Sequence, residues 1–135
     1  MIQKFNKRGG FTLVEIMIVV AIIALLAAIA VPSALRARKR SQATRTLEEL
    51  HLIDAAIDQY ALENNKKKGD TLTWAAIQPY LKSGSLLYNS GGNDMFGNAF
   101  TGGFAVDTVP GISAETFGIL SDVADKSFWS PYPTQ

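Results

Sequence analysis

The chain has 135 residues, enough for one compact domain, and its 13 basic and 12 acidic side chains leave a formal net charge of +1. That balance lacks the basic excess of a nucleic-acid binder, so no nucleic-acid partner is expected. With no cysteine, a disulfide staple and a thiolate metal site are both excluded.

The charges are placed unevenly along the chain. Lys4, Lys7 and Arg8 lie in a short polar leader, residues 1–10, with no acid before Glu15. Ile16 to Pro32 is apolar throughout, and no charge occurs from Ile16 to Leu35. About 20 apolar residues cross a hydrocarbon layer of about 30 Å, so residues 12–35 suffice for a membrane helix. Glu15 is the one charge in the stretch Gly9 to Leu35. A charge at the centre of a membrane helix costs about 2.5–3.5 kcal/mol, a penalty that a chain carries if something pairs with the charge. The leader cations suit a cytoplasmic N-terminus. Arg36, Arg38, Lys39, Arg40 and Arg45 follow the run and oppose that orientation by simple counting.

Pro32 removes one helical hydrogen bond and is expected to kink the helix rather than end it. Beyond it, Leu47, Leu50, Ile53, Ile57, Tyr60 and Ala61 recur at helical spacing and share a face. Glu48, Glu49, Asp58 and Gln59 are placed on other faces. Residues 11 to about 64 therefore read as one long helix, about 80 Å at 1.5 Å per residue. Asn64 to Asp70, with three lysines and Gly69, forms a solvated connector. Thr73 is positioned to cap a short helix through Trp74, Ile77 and Leu81, interrupted by Pro79.

After Lys82, glycines punctuate short aromatic and β-branched pieces. Ala99–Thr101, Phe104–Val106 and Phe117–Leu120 are the expected strands, with Gly102-Gly103 as a hairpin turn. The tail Ser127 to Pro133 reads as irregular, with aromatics able to cover a core. The fold class is α+β: a long N-terminal helix, apolar in its first half, whose second half packs on a small antiparallel-sheet head. The domain division is leader 1–10, membrane and assembly helix 11–35, and head 36–135.

The segment from Lys7 to Pro32 resembles the type IV pilin and pseudopilin superfamily. The pattern is Arg8-Gly9-Gly10, then Phe11, then Thr12-Leu13-Val14-Glu15, the apolar run and Pro32. Ala24 stands where many pilins have glycine. The resemblance implies cleavage between Gly10 and Phe11 by a prepilin peptidase, and N-methylation of the new Phe11 amine. It also implies a single-pass inner-membrane protein with its head in the periplasm. An inner-membrane assembly platform then draws it into a helical filament with copies of itself and other pilins or pseudopilins. The chemistry is sensible on its own terms. Cleavage leaves a cationic amine one helical turn from Glu15, and staggered helices bring the carboxylate of one subunit to the amine of another. Opposite charges at ~4 Å gain about 4 kcal/mol at an effective dielectric of 20, before desolvation.

The small head, the missing cysteines and the segment Asn93 to Asn98 favour a major-type pseudopilin of a type II secretion system. That segment resembles the Asp-Pro-Trp-Gly-Asn stretch of such proteins without its proline and tryptophan, and reads as a tight turn leading into Ala99. A pilus pilin serving adhesion, motility or DNA uptake is the alternative, and a minor, tip-located pseudopilin a third. Calcium occupies a C-terminal loop in many major pseudopilins, which makes Asp122 and Asp125 the candidate ligands here. Their spacing matches no calcium loop, and solvated turn acids are the competing reading, also for Asp94 and Asp107. A competing reading of the N-terminus takes Ala28-Ile29-Ala30 as a secretory signal-peptide end, so that a soluble protein starts at Val31.

No enzyme is expected. His51, the single histidine, has no second imidazole beside it. Neither a Gly-x-Ser-x-Gly element nor a phosphate-binding loop occurs. Lys66 to Lys68 reads as a solvated loop. Arg36 to Arg40 is placed to meet lipid phosphates or the Glu48 and Glu49 of another subunit.

Overall fold

A computed structural model describes residues 9–135. The leader cations Lys4, Lys7 and Arg8, and most of the leader with them, lie outside the described residues. Helix α1 runs Leu13–Glu63, 51 residues, close to the bounds read from the apolar pattern. The chain divides into two compact units, one ending at Arg36 and the other spanning Ala37–Gln135.

In the first unit α1 has no covered face. Apolar side chains such as Leu13, Leu25 and Ile29 are 77%, 66% and 71% exposed, so nothing among the described residues covers the run. It is long and apolar enough to cross a membrane, with a mean hydropathy of 3.0 over its best window. Pro32 sits inside α1 without terminating it, as expected, and leaves the Ala28 carbonyl without its helical donor.

In the second unit α1 supplies one wall of a core. Leu50, Ile53 and Ile57 are almost fully buried, with Ala43, Ala56 and Ala61 filling between them. Leu47 and Tyr60 pack at the margin. The opposite wall is Ile77, Leu81, Leu87, Phe100, Ile112, Leu120, Trp129 and Tyr132. Regular structure beyond α1 is slight. Strand β1, Thr71–Leu72, pairs antiparallel with β2, Phe104–Ala105, in the register Thr71 with Ala105 and Leu72 with Phe104. Helix α2, Trp74–Ile77, continues into a 3-10 turn at Gln78–Tyr80 that holds Pro79. Helices α3, Ala114–Leu120, and α4, Lys126–Trp129, complete the head. This is the expected α+β pilin-like class, with a sheet reduced to two short strands and isolated bridges.

Several local expectations are corrected. Phe117–Leu120 is helical, because Ser113 caps α3 by accepting from the Thr116 amide at 3.2 Å. Ala99–Thr101 is no continuous strand; Ala99 bridges Asn93 and Thr101 bridges Gly111. Gly102 and Gly103 do take positive φ, +84° and +66°, but they join no hairpin, since Phe104 pairs with Leu72 instead. Thr73 occupies the N-cap of α2 without a side-chain bond. The tail is not wholly irregular, for α4 lies within it. Its aromatics do cover the core: Trp129 is fully buried and Tyr132 is 5% exposed. Glu49 is buried rather than on a solvent face.

Candidate processing and assembly site

Gly9 and Gly10 are exposed, and a Cβ built on Gly10 meets no atom within 4 Å. A larger side chain there disturbs nothing among the described residues. Phe11 is 86% exposed two residues before α1 begins. Thr12 and Glu15 then close a reciprocal cap at the start of α1. The Glu15 amide donates to Thr12 Oγ1 at 3.2 Å, and the Thr12 amide donates to Glu15 Oε2 at 3.3 Å. This capping box satisfies two backbone donors that the first turn leaves without partners. A carboxylate in the first turn also complements the positive end of the helix dipole. Sequence reading missed Thr12, although Thr-x-x-Glu before an apolar run is the signal for such a cap. Phe11 and Glu15 line one shallow groove of about 570 Å³ with Ile16, Ile18 and Val19, so aromatic ring, acid and apolar wall share one surface.

The basic cluster beyond the apolar run is partly committed inside the head. Lys39 binds Asp122 at 3.0 Å. Arg40 donates to the Val123 carbonyl and lies 4.7 Å from the Phe128 ring centroid. Arg36 and Arg38 are exposed. Of the calcium candidates, Asp122 therefore holds Lys39. Asp125 caps α4, accepting from the Phe128 amide at 3.1 Å and the Ser127 hydroxyl at 2.7 Å. The Ser127 hydroxyl, then the Phe128 amide, hold its carboxyl below the usual range. No group of three or more His, Asp or Glu is placed to hold a metal among the described residues. Asp94 is buried and accepts from the Phe96 and Asn98 amides at 2.9 and 3.0 Å and from the Thr116 hydroxyl. It closes the expected tight turn before Ala99. His51 meets the Tyr132 hydroxyl through Nδ1 at 2.6 Å and so ties the tail to α1.

Comparison with known proteins agrees with the N-terminal pattern. Residues 5–31 match the family described as the prokaryotic N-terminal methylation motif. The type IV major fimbrial protein FimA of Dichelobacter nodosus is 38% identical over 85 residues, 63% of this chain and 54% of that protein. The type II secretion system core protein G of Vibrio cholerae is 33% identical over 63 residues, 47% of this chain and 43% of that protein. Fimbrial protein Q of Moraxella bovis is 44% identical over 63 residues, 47% of this chain and 40% of that protein. The chain thus spans about half the length of the curated relatives it matches. No solved structure matches it significantly. An apolar helix opened by this motif and followed by a small α+β head agrees with the pilin-like fold class. Motif and relatives together support a likeness to the type IV pilin and pseudopilin superfamily.

Proposed function

We propose that this chain is a structural, non-enzymatic subunit of a type IV pilus-like filament. Within that class it acts as a major-type pseudopilin of a type II secretion system. It is made with the leader 1–10, inserted in the inner membrane through residues 11–35, and cut between Gly10 and Phe11 by a prepilin peptidase that also methylates Phe11. Residues 36–135 then stand in the periplasm until the assembly platform adds the subunit to a filament.

One observation carries this reading. The Glu15 carboxylate and Phe11 lie in one groove at the head of an apolar helix that nothing among the described residues covers. Helices of neighbouring subunits or lipid must cover that helix. A second copy brings both the apolar surface and a cation, the Phe11 amine, for the acid. Glu15→Ala is expected to leave the head folded and cleavage intact while filaments fail to form. Replacement of Gly10 by a bulky residue is expected to leave uncleaved precursor in the membrane, seen as a larger band on an immunoblot. Normal polymers from Glu15→Ala would contradict the pairing.

A pilus pilin is the second reading, and the longer FimA match favours it, covering 63% of the chain against 47% for core protein G. Deleting the gene separates the two: loss of enzyme secretion marks the pseudopilin, and loss of long surface fibres marks the pilin. The signal-peptide reading ends the precursor inside α1 at Ala30, within residues that match the methylation motif.

A further inference from the structure

In the head, α1 and the segment Tyr80–Leu87 enclose an open groove of about 420 Å³. Its walls include Leu52 and Leu86, which are 55% and 68% exposed. The acid Glu49 lines it from within the stripe that faces the core, and its side chain is only 9% exposed. One carboxylate oxygen accepts from Arg45 Nε at 3.2 Å. The other, Oε2, is buried and has no hydrogen-bond partner among the described residues. A buried carboxylate oxygen left without a donor costs about 1–3 kcal/mol or more, so the acid beside the groove is under-satisfied within the chain. Exposed Glu48 lines the same groove and adds negative charge.

The fitting occupant carries an aliphatic side chain and a cationic donor close together. This chain displays that pair on α1. Leu35 is 56% exposed, Arg38 is exposed, and a spacing of three places them side by side on a helix. A guanidinium matches a carboxylate better than an ammonium does, since its planar fork donates along two parallel bonds. We propose that the groove seats a second copy of the chain, its Arg38 pairing with the acidic pair Glu48 and Glu49 and its Leu35 lying on Leu52 and Leu86. This contact rests on the filament reading above and adds to it a head-level joint separate from Phe11 and Glu15.

The chain has no cysteine, so introduced cysteines report single pairs. Two differently tagged full-length copies, one Leu86→Cys and one Leu35→Cys, both keeping Arg38, are expressed together and their filaments oxidised. A disulfide-linked dimer carrying both tags is expected, and its absence from intact filaments overturns the inference while leaving the filament reading in place. If neither copy enters a filament and the unaltered chain does not either, both readings fall. In parallel, Leu86→Asp at its exposed site is expected to keep the melting temperature of the head and to lower filament yield at least tenfold. Glu49→Gln is expected to lower the yield of the mixed-tag dimer. Undiminished yield in both variants, with heads that melt normally, overturns the contact.

Discussion

Glu15 has two roles that a pair of substitutions separates. It closes the capping box with Thr12, and under the proposed function it meets the Phe11 amine of a neighbour. Thr12→Ala removes the cap, worth about 0.5–2 kcal/mol, and keeps the charge. Filaments should survive Thr12→Ala and fail in Glu15→Ala, as counted by electron microscopy. Equal loss in both would mean that the cap matters and the charge does not. Glu49 gives a second test at this scale. Burial pushes its carboxyl up, with Arg45 opposing. The folded head then holds this proton more tightly than the unfolded chain. Stability falls as pH rises through the window just above the ordinary carboxylate range, because the folded state must bury the charge. Glu49→Gln has no proton to lose. The fall in melting temperature across that window should therefore be smaller in the variant than in the parent.

Among the elements, the tail is held by close approach rather than by regular pairing. Gly111 lies where a Cβ would come within 2.5 Å of the Pro133 carbonyl oxygen and 2.8 Å of Thr101 Oγ1. Gly111→Ala must push the tail away, and a loss of about 1–3 kcal/mol is expected by urea unfolding. Trp129→Ala empties the largest fully buried site of the core and should cost about 3–5 kcal/mol. The long helix was legible because its signal repeats over many turns, from the apolar run through Leu50, Ile53 and Ile57. The turn at Asp94 to Asn98 was legible because its hydrogen bonds are local. The sheet was not. Phe117 to Leu120 is a short apolar run whose periodicity fits strand or helix, and Ser113 decides the matter. Phe104 pairs with Leu72, more than thirty residues earlier, a choice made by the core and not by the glycines between nearby pieces. The burial of Glu49 was likewise invisible, because it depends on the segment Tyr80–Leu87 folding over α1.

For the molecule as a whole, the two units differ in what covers their apolar side chains. The head buries its apolar stripe within its own chain, whereas residues 13–35 bury nothing. Such a chain is at rest in a bilayer or among like helices, and the proposed function moves it from one to the other. Under the proposed function the leader decides whether that transfer can occur, since removal of residues 1–10 would create the cation that faces Glu15. The central claim is thus a statement about one covalent end. Intact-mass and N-terminal fragment spectra of protein purified from assembled filaments read it directly. A mature chain beginning at N-methylated Phe11 is the predicted result, and one beginning at Met1 or Val31 would contradict the account.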